Sequence, residues 1–256
     1  MADWNPELYA RFERERTRPA QDLLAAVPLD DAAFVVDLGC GPGNSTELLQ
    51  NRYPTATILG VDSSPAMLEK AARRLPGASF ERADMLTWET SRPVSLIFAN
   101  ASLQWVPGHE ALLPRLLSML APGGVLAFQV PDNRDEPTHR LMRETADEPR
   151  FAARIGEEAH ARLQILRPDD YYDLMAPRAE AVDVWRTIYH HQMADASAIV
   201  DWVSATGLRP YLEPLDDDGR AAFRQAYQQR IDKAYPSRTD GRRLMPFPRL
   251  FAVASI

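Results

Sequence analysis

The sequence predicts an α/β fold built on a mostly parallel sheet, and three observations support it. From Phe34 to Val130, short apolar runs alternate with stretches of helical pattern, the rhythm of successive βαβ units. The first of these runs, "FVVDL", passes directly into "GCGPGNST", a turn with glycines at 39, 41 and 43. After Pro131 the sequence becomes charged and mostly helical in pattern, and apolar strand character returns in "AVDVWRTIYH" and in the terminal "RLFAVAS".

"FVVDL" is the first strand, followed by a helix from about Ser45 through Arg52. "TILGVD" (Thr57 to Asp62) is the second, and Pro65 suits the first turn of the helix "PAMLEKAARRL", where its missing N–H costs nothing. "SFERAD" (Ser79 to Asp84) is a short, partly polar third strand. "VSLIFAN" (Val94 to Asn100) is the fourth, and its continuous apolar run predicts burial on both faces. The helix "EALLPRLLSML" is ended by "APGG", and "VLAFQV" (Val125 to Val130) is the fifth strand. "AVDVWRTIYH" alternates as a sixth, and "RLFAVAS" (Arg249 to Ser255) is the last, for which the sixth is the natural antiparallel neighbour. The expected organisation is one domain over residues 1–256. Its core lies at about 20–131, 181–192 and 247–256, with a helical cap at about 132–180 and 193–246. That cap is expected over the carboxyl ends of the strands, where open α/β sheets bind ligands.

A chain of 256 residues can bury a full core. The net charge of −7 argues against a nucleic-acid-binding surface. The single cysteine, Cys40, allows no internal disulfide and offers no Cys-rich metal framework. The start, "MADWNPELYARFERERTRP", is too polar for a secretory signal, and no apolar run is long enough to span a membrane. A cytoplasmic protein is the expectation.

The glycine turn discriminates among nucleotide classes. A dinucleotide fingerprint, G-x-G-x-x-G, needs glycine where Asn44 stands. A phosphate-binding P-loop needs Gly-Lys where Asn44 and Ser45 stand. What remains is D-x-G-x-G-x-G directly after a strand, from Asp37 to Gly43. Asp62 ends the second strand nineteen residues after Gly43, the spacing of a carboxylate that accepts from ribose hydroxyls. Asp84, followed by Met85, ends the third and could hold an adenine amine and face. Each alone could be an ordinary strand-ending or helix-capping carboxylate. Three successive strand ends, each carrying the group its place requires, make a joint signal.

This constellation resembles the class I S-adenosylmethionine-dependent methyltransferases. The resemblance implies a Rossmann-like, seven-stranded sheet whose last strand is antiparallel and inserted beside the fifth. It implies S-adenosylmethionine as cofactor and S-adenosylhomocysteine as product, with no phosphate to neutralise at the turn. Carried over residue by residue, Asp37, Gly39 and Gly41 line the methionine side, with Cys40 a small filler beside the cofactor. Asp62 takes the ribose, Ser63 and Met67 its flank, and Asp84 with Met85 the adenine. Asn100 faces the cofactor near the transferred methyl.

Methylation of a base or a glutamine amide in this family uses an Asn-Pro-Pro-aromatic turn after strand four; here the turn is "NASLQW". A phenol or alcohol acceptor needs a general base, and none of His109, His139, His160, His190 and His191 directly follows strand four. A carboxylate is already ionised at neutral pH, so its methylation can rest on proximity, alignment and exclusion of water, with no catalytic base. The segments "DWNPELYARFERERTRPA", "FANASLQW", "PDNRDEPTHRLMRE", "IVDWVSATGLRP" and "FPRLF" extend the resemblance over almost the whole chain, to a branch of the family that esterifies a small tricarboxylate. A tricarboxylate in an acidic protein needs local cations. The candidates are Arg16 and Arg18, His139, His190 or His191, Arg209 and Arg249, with Tyr9 and Trp105 as walls. The two adjacent histidines face opposite sides of a strand, so at most one is a ligand. Trp4, Trp185 and Trp202 read as packing residues. Two other readings stay open: methylation of a carrier-bound malonyl group, and a cofactor-binding module without catalysis.

Overall fold

The computed structural model describes residues 13–156, 165–204 and 207–256. In chain order the elements are α1 (Glu13–Ala25), β1 (Phe34–Leu38), α2 (Asn44–Arg52), β2 (Thr57–Asp62), α3 (Pro65–Arg74), β3 (Ser79–Arg82) and β4 (Val94–Asn100). A 3₁₀ turn (Leu103–Trp105), α4 (His109–Ser118), β5 (Leu120–Pro131), α5 (Pro137–Ala146), α6 (Pro149–Ile155) and α7 (Pro168–Met175) follow. The chain continues with β6 (Ala181–Met193), α8 (Ala196–Ser204), α9 (Arg209–Leu212), α10 (Asp217–Ala234) and β7 (Arg243–Ser255).

The seven strands form one sheet in the order β3-β2-β1-β4-β5-β7-β6. The pairs β1–β2, β1–β4, β2–β3 and β4–β5 are parallel, and β7 runs antiparallel beside β5. The expected sheet is thus observed, with β7 between β5 and β6. Every residue of β1 is buried, as a central strand covered on both faces requires. One face carries Val36, Ile97, Phe128 and Ala252 against Leu112, Leu113, Leu116 and Leu117 of α4.

Several strand boundaries differ from the sequence reading, and β6 runs on to Met193, three residues past the expected end. Strand β3 stops at Arg82, so Asp84 lies two residues beyond it in a turn. Strand β5 begins at Leu120 and includes "APGG", because the register slips from Val94↔Leu120 to Leu96↔Val125 and bulges around those residues. Strand β7 starts at Arg243, six residues before the predicted start, despite Pro246 and Pro248.

The chain divides into two compact units. The sheet unit holds residues 16–131, 165–187 and 249–256. Helix α7, read from the sequence as part of the cap, groups with this unit because it packs on α4. Tyr171 is fully buried, lies edge-on to Phe128 at 5.1 Å, and has its hydroxyl 2.9 Å from Nδ1 of His109. The second unit holds residues 13–15, 132–156, 188–204 and 207–248. Its core gathers Met142, Ile199 and Trp202 with Phe223, Tyr227 and Ile231, which recur every four residues along α10. Tyr227 donates to the Thr138 carbonyl at 2.8 Å, and Tyr235 accepts from the Thr138 N–H at 3.1 Å, fixing the start of α5. No helix among the described residues is long and apolar enough to cross a membrane.

Candidate active site

The glycine turn is stitched to the end of β2: the N–H groups of Gly39 and Cys40 both donate to the Val61 carbonyl, at 2.7 and 3.0 Å. Gly39 has φ +76, and a Cβ there would stand 2.3 Å from Cβ of Ser102. Ser102 in turn donates to the Leu38 carbonyl at 2.7 Å, so the turn after β4 is clamped onto the turn after β1. Gly41, at φ +54, faces open space. The Asp62 carboxylate is anchored by two main-chain donors, Gly41 N–H at 2.9 Å and Ser64 N–H at 2.8 Å. Ser64 caps α3 by accepting from the Met67 N–H at 3.4 Å, which sets Met67, half-buried, and Ser63, exposed, beside Asp62. Cys40 is buried with its Sγ against Gly60, and burial pushes its thiol pKa far up, so it is a packing group rather than a nucleophile.

Asp37 is fully buried beneath the turn, accepting from Ser45 at 2.8 Å and Thr46 at 2.6 Å in the first turn of α2. Burial raises its pKa from 3.8 to about 6, with the two hydroxyls partly opposing the rise. A carboxyl raised on folding contributes most to stability below its unfolded pKa, and that contribution is lost as pH climbs through about 6. The stability difference between Asp37→Asn and the parent should therefore shift in the variant's favour from pH 4 to pH 7.5, by at most about 3 kcal/mol. Denaturant melts at the two pH values read this directly, and a pH-independent difference would contradict it.

Beyond β3, Asp84 is exposed and accepts from the Leu86 N–H at 2.9 Å, while its carbonyl takes the N–H groups of Thr87 and Trp88. Met85 Cε would lie 3.1 Å from a Cβ on Gly39, so its thioether end covers the glycine turn. Sequence reasoning missed the residue that holds this loop. Arg115 of α4 donates to the carbonyls of Met85, at 2.7 Å, and Trp88. An arginine on a helix face carries no local sign of such a tertiary role. Arg115→Met should loosen the loop and weaken cofactor binding about tenfold, with Arg115→Lys intermediate, by calorimetric titration.

The turn after β4 begins at Asn100, half-buried, and continues through Ala101, whose φ of +52 is unusual for a residue with a side chain. Two hydrogen bonds hold it: Ala101 N–H to the Gln129 carbonyl at 3.0 Å, and the Gln104 side-chain amide to the Ala101 carbonyl at 2.6 Å. Trp105 follows, 59% exposed. On the same sheet face, Arg249 of β7 is buried and donates to Oε1 of Gln129 at 2.9 Å. The Gln129 Nε2 donates to Oδ1 of Asn100 at 2.5 Å. Gln129 is fully buried, a role the sequence analysis misses. Its signal was a polar side chain inside "VLAFQV".

Asp37, Gly39, Cys40, Gly41, Asp62, Ser63, Met67, Asp84, Met85, Asn100, Trp105 and Arg249 all belong to the sheet unit. His139 and His191 are buried in the second unit. His139 Nδ1 lies 3.1 Å from the Thr138 hydroxyl, and His191 sits among Trp202, Phe247 and Tyr189 with Trp202 at 4.6 Å. His190 is exposed, as alternation along β6 requires. Arg209 is exposed and bound to Glu213 at 2.6 Å, and Arg18 pairs with Asp22 at 3.9 Å. Tyr9 and the side chain of Arg16 lie outside the described residues. Among the described residues of the sheet unit the histidine is His109, whose ring nitrogens lie 2.9 Å from the Tyr171 hydroxyl and 2.9 Å from the Leu103 carbonyl. Both are engaged in holding α4, and neither is available as a base.

A strand order of 3-2-1-4-5-7-6 with antiparallel β7, a glycine turn without the P-loop lysine and the anchored Asp62 define a class I methyltransferase. A family model described as a methyltransferase domain matches residues 9–212, and the chain belongs to that family. Its similarity to the trans-aconitate 2-methyltransferase of Methylobacterium radiotolerans is 62% identity over 99% of this chain and 98% of that protein. The protein of the same name from Variovorax paradoxus is 60% identical, with the same coverage of both chains. Among solved structures, the YcgJ protein of Bacillus subtilis shares the fold at a TM-score of 0.60 and 10% identity, covering 93% of this chain and 97% of that one.

Proposed function

We propose that this methyltransferase uses S-adenosylmethionine to esterify one carboxylate of trans-aconitate, giving the monomethyl ester. The observation that carries the reading is the near-full-length similarity, at 60–62% identity, to relatives named for that reaction.

The residues fit the cofactor. Gly41 leaves open space at the turn, and the half-buried Asp62 carboxylate is held at its edge, where ribose hydroxyls can donate. Asp37 Oδ1 has no hydrogen-bond partner among the described residues, a buried acceptor for the amino group of the methionine moiety, directly or through water. Met85 supplies an apolar surface for adenine and Asp84 an acceptor for its amine. When bound, the cofactor supplies a methyl on a positively charged sulfur, and transfer to a carboxylate oxygen leaves that sulfur neutral and requires no proton to be removed. That agrees with a sheet unit whose histidine is locked into packing. The chain's task is then to bind, align and shield. Asn100 and Arg249 present polarity and positive charge at the binding edge, and Trp105 offers an exposed aromatic wall.

An acceptor screen with labelled cofactor tests the reading against its competitors. Label should enter trans-aconitate in preference to other di- and tricarboxylates and to a malonyl-loaded carrier protein. Transfer to the carrier alone, or cofactor binding without any transfer, would contradict it.

A further inference from the structure

We propose that Gln129 is a positioning residue that fixes Asn100 as a hydrogen-bond donor toward the acceptor carboxylate. The inference rests on the carboxylate-methylation reading and goes beyond it in naming what sets the polarity of the site.

A guanidinium only donates. Arg249, buried at the start of the β5–β7 pairing beside Pro131, therefore compels Gln129 to turn its oxygen toward β7, and the two atoms lie 2.9 Å apart. The Gln129 amide nitrogen must then face β4. Asn100, its register partner there, can meet that donor only with its own oxygen, at 2.5 Å. The Asn100 nitrogen, with two donor hydrogens, is left on the side away from Gln129, at the carboxyl end of β4 beside the glycine turn. Reversing either amide sets donor against donor in a buried chain, which low-dielectric surroundings penalise.

A charge on β7 thus dictates, two strands away, which end of Asn100 meets the ligand. The Gln129 backbone reinforces the result, since its carbonyl accepts from the N–H of Ala101 in the strained turn that follows Asn100. A site that presents fixed donors accepts a carboxylate and disfavours a protonated amine, whose own hydrogens meet them head-on.

The test is Gln129→Glu, which is isosteric. The carboxylate it introduces still accepts from Arg249 but presents an oxygen to Asn100, so Asn100 must turn its nitrogen inward and its oxygen toward the acceptor. The KM for trans-aconitate should rise at least about tenfold while the cofactor Kd stays within about twofold. Asn100→Asp keeps an oxygen on the Gln129 amide nitrogen but turns a second oxygen toward the acceptor, so it should raise the KM likewise. An unchanged KM in Gln129→Glu, or a cofactor Kd that rises as far as the KM, overturns the proposal. Where Gln129→Glu does not fold, the side-chain amide exchange of the parent protein decides.

Side-chain amide NMR reads the polarity without any acceptor. In the parent protein the Gln129 amide protons should be protected from exchange and those of Asn100 should not; protected Asn100 protons overturn the proposal. Loss of trans-aconitate turnover by the parent protein would count against the acceptor reading alone, since the NMR result stands apart from it.

Discussion

Gly39→Ala is expected to abolish cofactor binding and to destabilise the fold together. At φ +76 an alanine is strained by about 1–2 kcal/mol before any contact is considered. Its methyl would also stand 2.3 Å from Cβ of Ser102, and Ser102 is tied to the Leu38 carbonyl. Relief requires the turns after β1 and β4 to separate, and overpacking of that kind costs about a further 1–3 kcal/mol. Those turns hold Gly41 and Asn100, so the binding edge comes apart with the clamp. The expected result is a loss of about 2–5 kcal/mol in stability and at least about a 100-fold rise in cofactor Kd. Gly41→Ala makes the contrast. Its methyl meets open space, so stability should fall only by the backbone strain of about 1–2 kcal/mol while binding is still blocked. Thermal melts and cofactor titrations on the two variants separate these outcomes. Equal stability loss in both would contradict the clamp.

Arg249→Met is expected to raise the KM for trans-aconitate on the order of 100-fold and to leave cofactor affinity within a few-fold of the parent. Removing one partner of a buried, hydrogen-bonded charge costs about 2–5 kcal/mol in recognition. The change takes away the positive charge and frees Gln129 to reverse, which turns Asn100 with it. Arg249→Lys should restore part of the effect, because it keeps the charge but lacks the fixed fork. Steady-state kinetics at saturating cofactor give the KM, and calorimetry gives the cofactor Kd.

The central strands were legible because burial on both faces writes itself as an apolar run: "FVVDL", "TILGVD" and "VSLIFAN" match their observed bounds. The start of β7 was not, because Pro246 and Pro248 read as breakers although this part of the chain still forms strand. Asp84 was identified but displaced, since the short and mostly exposed β3 gives the sequence no hydrophobic edge to end on. The glycine turn and its tie to Asp62 were legible by spacing, for a tight turn stitched to the next strand's end demands fixed residues at fixed offsets. The acceptor side was far less so. Gln129 and Arg115 act through contacts made by distant segments and leave no periodic trace.

The most direct measurement is mass spectrometry of the products formed from S-adenosylmethionine and trans-aconitate by the purified protein. The predicted result is one monomethyl ester per S-adenosylhomocysteine, labile to mild base and formed without a metal additive. Cofactor consumption with no ester, or a base-stable methyl on carbon, would contradict carboxylate methylation outright.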